Sequence, residues 1–207
     1  MRTVGLTGNI GAGKSTVAEL LVARGAALVD ADKVAREVVE PGAPAYQPLI
    51  DRFGADILDA EGRIDRPSLA AKVFGHPDEL EALNAIIHPA IGVAMIEGKD
   101  AYAGTDRIVV MDIPLLKEFH RELLALDAVV VVDVPADVAL ERLTTLRGMS
   151  TEDATARQAS QPSRAERLEG ADFVVDNSDG TGALAAEVDR VWAELVQLPE
   201  RPAPTPD

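Results

Sequence analysis

Residues 8–15 read GNIGAGKS and form a complete G-x-x-x-x-G-K-[ST] phosphate-binding motif. The preceding residues 3–7, TVGLT, have the length of a strand, and residues 16–24 carry apolar side chains at helical spacing. A strand, a glycine loop and a helix in this order direct successive backbone N–H groups at a phosphate. In such a loop Lys14 reaches the outer phosphates and the Ser15 hydroxyl holds Mg²⁺. The motif therefore predicts a nucleoside triphosphate site.

The composition fits a single α/β domain with small insertions. The chain has 207 residues, of which 47% are hydrophobic and only 3% aromatic, so aliphatic side chains must fill the core. It has no cysteine, which excludes disulfides and thiolate metal sites and is compatible with a reducing cytosol. No stretch approaches about 18 uninterrupted apolar residues. We expect a cytoplasmic protein that does not span a membrane.

The charge is distributed unevenly along the chain. The formal net charge is −15, which argues against nucleic-acid binding because that needs a broad basic face. Residues 142–167 have the opposite sign: they contain five arginines and three acidic residues, a net charge of +2, whereas the rest of the chain carries −17. This segment is either a solvent-exposed helical face or a local site for an anionic ligand.

Four further apolar runs of strand length alternate with helical patterns: residues 26–29, 107–111, 128–132 and 173–175. The alternation predicts an α/β fold with a parallel five-stranded sheet covered by helices on both faces. The segments 46–99 and 143–169 exceed ordinary crossover length, and insertions over the carboxyl ends of strands are where such folds bind ligands. We expect the proline-rich tail, 199–207, to be disordered.

Asp30 and Asp32 follow the second predicted strand. Because neighbouring parallel strands end at the same edge of a sheet, both carboxylates can face the phosphates. A carboxylate there can accept a proton from an attacking hydroxyl or hold a water on Mg²⁺. Alternatively, Asp32 caps the next helix by accepting from its free N–H groups. Spacing alone leaves both interpretations open.

Asp112 and His88 carry weaker signals. Asp112 follows the apolar strand 107–111, as a Walker B magnesium ligand does, but aspartates also end strands in ordinary turns. His88 precedes Pro89 and is either an imidazole above a pocket or the polar residue before a helix that begins with proline. We favour the structural interpretation of His88 from spacing alone.

Eight stretches in a fixed order are more specific than the glycine loop: GLTGNIGAGKSTVA (5–18), VDADKVAREVVEPG (29–42), FGADIL (53–58), EGRIDR (61–66), HP (88–89), DIPLLKE (112–118), RGMSTEDATARQASQ (147–161) and ADFVVDNSDG (171–180). In these stretches the chain resembles the dephospho-CoA kinase family over nearly its full length. The resemblance implies a three-layer P-loop kinase fold and transfer of the ATP γ-phosphoryl group to the 3′-hydroxyl of dephospho-CoA, with Mg²⁺, in the last step of coenzyme A biosynthesis.

The resemblance also implies a division of the single unit 1–198. The helical insertion at about 46–99 is then the substrate-binding part and the helical segment at about 142–169 is the lid. The core comprises the remaining segments, at about 1–45, 100–141 and 170–198. We expect a monomer or a weak homo-oligomer whose partners are dephospho-CoA and ATP, with no nucleic acid and no membrane.

Functional residues follow from the same resemblance. Asp32 is implied as the general base, and Lys14 and Arg142 as the other catalytic residues. Asp32 is also implied in substrate binding, together with Arg66 and His88. The implied ATP-binding residues are Gly11, Ala12, Gly13, Lys14, Ser15, Thr16, Arg147 and Asn177, with Ser15 as the Mg²⁺ ligand.

Three residues depart from the family pattern. Asn9 replaces the usual second glycine of the loop, but it keeps its backbone N–H and tolerates left-handed geometry. Lys117 stands where an apolar residue normally follows the two leucines, and Gln158 occupies a common apolar position of the lid. None of these changes removes a core chemical group.

Two competing functions stay open. One is another small-molecule P-loop kinase such as a shikimate kinase, although the triple-glycine turn of that family is missing from this chain. The other is a binding module in which ATP only drives a conformational switch, and it predicts slow hydrolysis that does not depend on an acceptor.

Overall fold

The protein is an α/β fold in the computed structural model, which describes residues 1–179 and 181–200. The strands are β1 (Arg2–Gly8), β2 (Ala27–Asp30), β3 (Ile108–Asp112), β4 (Ala128–Asp133) and β5 (Phe173–Asp176). The helices are α1 (Lys14–Ala23), α2 (Ala31–Glu37), α3 (Tyr46–Phe53), α4 (Arg66–Val73), α5 (Pro77–Asp100), α6 (Glu118–Leu123), α7 (Ala136–Arg147), α8 (Thr151–Ala159), α9 (Arg164–Glu169) and α10 (Thr181–Leu195). The predicted fold class is confirmed.

The five strands form one sheet in the order β2-β3-β1-β4-β5. The central strand β1 runs parallel to β3 and β4, with Leu6 opposite Asp112 on one side and Val130 on the other. Parallel strands bring their carboxyl ends to one edge of the sheet. The phosphate loop at the end of β1 therefore lies beside the ends of β3 and β4.

A continuous apolar core covers one face of the sheet. The even-numbered residues of the central strands, such as Val4, Leu6 and Val130, are fully buried there. They pack against Leu21 of α1 and Val188 of α10, among others. Burial of both faces explains why β3 and β4 are nearly continuous apolar runs rather than alternating ones.

The chain divides into two compact units, and the second is Asp30–Gly98. This unit has its own small core of Leu49, Phe53 and Ile57. Apolar residues of α5, including Leu83 and Ile86, pack against that core. By length and composition alone α5 could cross a membrane, and 6% of its apolar stretch is buried; one such helix does not by itself identify a membrane protein.

Pro89 lies inside α5 and does not begin a helix, so the predicted helix start at this proline is wrong. An internal proline removes one helical hydrogen bond, but α5 continues because its preceding turns pack on the unit's core. The tail that was predicted to be disordered begins at residue 199. The structure describes it as far as Glu200, which forms an ion pair with Arg2 (3.3 Å). Residues 201–207 lie outside the described residues.

Candidate active site

The phosphate loop connects β1 to α1 as predicted. Gly11 and Gly13 adopt positive φ angles of 83° and 88°, which only glycine takes without strain. The Ala12 N–H donates to the Asn9 carbonyl (3.0 Å) and closes the turn. The hydroxyl-bearing Ser15 is exposed in the first turn of α1.

Asn177, directly after β5, holds the loop from outside. Its Nδ2 donates to the Ala12 carbonyl (2.8 Å), and its backbone N–H donates to the Asp133 carbonyl at the end of β4 (2.9 Å). Asn177 is only 6% exposed. A Cβ atom on Gly13 would lie 2.3 Å from Asn177 Nδ2, so close packing as well as the φ angle requires glycine at this position.

Lys14 forms an ion pair with Asp112, which ends β3. Because Asp112 stands opposite Leu6 in the sheet, its carboxylate reaches the loop from the neighbouring strand. Asp112 is 5% exposed, and a buried carboxylate needs such a partner. The structure thus places Asp112 beside Lys14 of the loop rather than in a solvent-exposed turn.

One cavity, here called the nucleotide cavity, opens beside the loop. Its volume is about 320 Å³, and its lining combines loop residues with residues of α7 and of the turn after β5. The lining residues are Gly11, Gly13, Thr16, Arg142, Leu146, Arg147, Asn177 and Leu184. Six of these eight were predicted to take part in catalysis or ATP binding. Leu146 and Leu184 were not, because an apolar residue of an amphipathic helix carries no local mark of ligand contact.

Arg142 is fixed by the same turn. Its Nη2 donates to the Asn177 carbonyl (2.7 Å), while its Nη1 is buried and has no hydrogen-bond partner among the described residues. A buried guanidinium nitrogen without an acceptor is costly. The arrangement suits an anionic oxygen as the missing partner.

The segment after α8 is anchored to the end of β4. Arg164 Nε donates to both carboxylate oxygens of Asp133 (3.0 and 2.9 Å), and Nη2 donates to one of them (2.6 Å). These hydrogen bonds and the charge of Asp133 raise the pKa of Arg164. Nearby, Gln161 Oε1 accepts from the Ile10 N–H of the phosphate loop (3.0 Å).

A second cavity, here called the β1/β4 cavity, lies beside the start of the loop. Its volume is about 340 Å³. Its lining includes apolar residues such as Leu116 and Val131, together with Gln161. The charged lining residues are Lys117, Arg121, Arg167, Glu118 and Glu166. Burial lowers the pKa of Arg167, and the charge of Asp133 opposes this effect. Sequence reasoning did not predict this cavity.

A family profile described as dephospho-CoA kinase matches residues 2–182. The chain belongs to the dephospho-CoA kinase family. A dephospho-CoA kinase of Streptomyces avermitilis is 48% identical over 202 residues, which cover 98% of both chains. A crystal structure of a Thermus thermophilus protein superposes with a TM-score of 0.76 at 32% identity and covers 96% of this chain and 98% of that one. The dephospho-CoA kinase of Campylobacter jejuni gives a TM-score of 0.66 at 27% identity, with 94% and 97% covered.

The family's implied substrate residues lie in the Asp30–Gly98 unit. Asp30 caps α2 by accepting from the backbone N–H groups of Asp32 and Lys33 (2.8 and 3.1 Å). The predicted alternative that Asp32 is the helix cap is therefore wrong, because Asp30 occupies that position and Asp32 lies in the first turn. Asp32 is exposed, as are Arg66 and His88, and their roles stay predictions.

Proposed function

We propose that this protein is an ATP-dependent kinase that phosphorylates the 3′-hydroxyl of dephospho-CoA and releases coenzyme A and ADP. The observation that carries the proposal is the nucleotide cavity, where the phosphate loop meets Arg142, Arg147 and Asn177 in a chain of the dephospho-CoA kinase family. Family membership favours dephospho-CoA over shikimate as the acceptor.

ATP binding uses the loop and α7 together. The N–H groups of residues 11–16 and the Lys14 ammonium bind the β- and γ-phosphates. Arg142 and Arg147 add positive charge where charge develops on the transferring group, and the planar guanidinium matches phosphate oxygens. Leu146 and Leu184 supply the apolar part of the same cavity. These local groups offset the chain's net charge of −15.

The donor set at the loop fits Mg²⁺ bound mainly through substrate. The described residues contain no cluster of three or more His, Cys, Asp or Glu that could hold a metal ion. Mg²⁺ commonly uses one or two protein groups together with phosphates and water. Ser15, with its exposed position in the first turn of α1, is the proposed protein ligand. When bound, Mg²⁺ neutralises charge on the β- and γ-phosphate oxygens.

Asp32 is the proposed general base. The 3′-oxygen of the acceptor forms a bond to the γ-phosphorus while the bond from that phosphorus to the ADP oxygen breaks, and the hydroxyl proton passes to the Asp32 carboxylate. Because the transition state of phosphoryl transfer is loose, Asp32 mainly orients the hydroxyl and accepts its proton late. The cytoplasmic location, the monomeric or weakly oligomeric state, and the lack of nucleic-acid and membrane partners stay predictions.

Acceptor specificity is tested by ADP formation with dephospho-CoA, shikimate, AMP or no acceptor. We expect robust turnover only with dephospho-CoA. Equal ADP formation in all four reactions would indicate a nucleotide-driven switch, and turnover with shikimate alone would indicate the competing kinase.

The base is tested with Asp32→Asn and a matched control, Asp30→Asn. Both variants lose one carboxylate charge, but asparagine caps a helix as well as aspartate does, so Asp30→Asn keeps α2 intact. We expect Asp32→Asn to lower kcat by about 10² or more and to leave ATP affinity unchanged, while Asp30→Asn stays near wild type. Near-wild-type kcat in Asp32→Asn would refute the assignment.

A further inference from the structure

The Ile10 N–H of the phosphate loop donates to two side-chain oxygens. One is Oδ1 of the preceding Asn9 (2.9 Å). The other is Oε1 of Gln161 (3.0 Å), which is 151 residues away in sequence. The direction of this peptide group is therefore set from outside the loop as well as from within it. Asn177 holds the other side of the loop through Ala12, so two carboxamides from outside the loop fix its path.

The segment that carries Gln161 is itself firmly placed. Arg164, three residues further on, makes its bidentate contact with the buried Asp133 at the end of β4. Arg167 Nη1 donates to the Pro162 carbonyl. Gln161 thus joins the phosphate loop to a segment tied to the neighbouring strand β4.

Gln161 also forms part of the wall of the β1/β4 cavity. Its Oε1 is used by Ile10, whereas its Nε2 makes no hydrogen bond to any described residue. A carboxamide with one end bound to the loop and the other end beside a cavity is suited to bridge the two. The lining of the cavity combines apolar side chains with three cationic residues and two acidic ones, a net charge of +1: Lys117, Arg121, Arg167, Glu118 and Glu166. This lining suits a ring system that carries an anionic group.

We propose that Gln161 is a positioning residue that couples the two substrates: its Oε1 orients the Ile10 N–H of the phosphate loop, and its Nε2 donates to an oxygen of the acceptor held in the β1/β4 cavity. The acceptor part of this inference rests on the proposed function. Binding of the acceptor then strengthens nucleotide binding, and the effect is reciprocal because the coupling is a free energy shared by both sites.

The test compares Gln161→Leu with Gln158→Leu as a matched control. Gln158 is also a glutamine of the lid segment, but its Nε2 donates to the Ala136 carbonyl (3.1 Å) and not to the loop. Calorimetry measures the Kd of dephospho-CoA with and without a non-hydrolysable ATP analogue and Mg²⁺. We expect coupling of about three- to tenfold in the wild type and in Gln158→Leu, the factor that corresponds to one hydrogen bond. We expect none in Gln161→Leu.

Amide hydrogen exchange of Ile10 provides a readout that needs no acceptor. Exchange should be faster in Gln161→Leu than in the wild type and unchanged in Gln158→Leu, and Gln161→Met serves as a second variant if the leucine protein does not fold. Coupling retained in Gln161→Leu, no coupling in the wild type, or unchanged exchange at Ile10 would each overturn the proposal. If the wild type does not phosphorylate dephospho-CoA, the proposed function fails, while the exchange of Ile10 still decides whether Gln161 holds the loop.

Discussion

Replacing Gly13 by alanine tests how the phosphate loop keeps its shape. Gly13 has a φ angle of 88°, and a residue with a Cβ atom costs about 1–2 kcal/mol in this left-handed region. The added Cβ would also lie 2.3 Å from Asn177 Nδ2. Asn177 must then move, and its bond to the Ala12 carbonyl is lost. A buried group left without its partner costs about 1–3 kcal/mol.

The matched control is Gly148→Ala. Gly148 ends α7 with a φ angle of 64°, and no heavy atom lies within 4 Å of its added Cβ, so only the backbone strain applies. The two variants should differ in stability by about 1–3 kcal/mol, which corresponds to about 2–12 °C in Tm for a chain of this size. Thermal melting by circular dichroism measures this difference, and titration with a fluorescent ATP analogue measures nucleotide affinity.

The Asn177→Ala background separates the two contributions. Without Nδ2 there is nothing for the new Cβ to displace, so Gly13→Ala should cost only its backbone strain there, and the two substitutions should be strongly non-additive. Equal Tm losses in Gly13→Ala and Gly148→Ala, or additive losses in the double variant, would refute this account of the loop.

Two further predictions concern the arginine-bearing segment. Arg142→Leu should raise the KM for ATP about tenfold or more in steady-state kinetics, because the guanidinium contacts Asn177 and lines the nucleotide cavity. The control is Arg157→Leu, which removes an exposed arginine outside that cavity and should leave the KM unchanged. Equal KM values in the two variants would contradict the prediction. The Ser163 hydroxyl and backbone N–H hold the pKa of Glu166 below its ordinary value, so the ionised Glu166 stabilises α9 above that ordinary pKa, and the contribution is lost as pH falls through the lowered pKa. Ser163 and Glu166 form reciprocal hydrogen bonds at the start of α9: the Ser163 N–H donates to the Glu166 carboxylate and the Glu166 N–H donates to the Ser163 hydroxyl. In an NMR titration Ser163→Ala should raise the pKa of Glu166, and an unchanged pKa would count against this account of the helix start.

Much of the fold could be predicted because its signals are local. The strand, glycine loop and helix of the phosphate site lie within residues 2–23, and each apolar run that predicted a strand became one. Periodicity did less well where packing competes with local preference. Pro89 was expected at a helix boundary but lies inside α5, because the turns before it pack on the core of their unit.

In the candidate site, too, the loop residues could be predicted from a local motif, whereas the helix cap could not. Asp30 and Asp32 have the same side chain, two residues apart, and spacing could not assign the helix cap. The structure assigns the cap to Asp30, because the Asp30 side chain accepts from the N–H groups of the first turn of α2. The Ser15 hydroxyl and the Lys14 ammonium, in contrast, follow from the loop motif itself.

The sequence alone determined that a phosphate loop opens the chain and that strands and helices alternate behind it, because both patterns arise from residues adjacent in the chain. Only the tertiary structure decided what holds that loop. Gln161 and Asn177 reach it from 151 and 165 residues away, and Asp112 reaches Lys14 from a neighbouring strand. A backbone N–H or carbonyl must find a partner when it is buried, but the chain fold selects that partner, and a linear pattern carries no record of the choice.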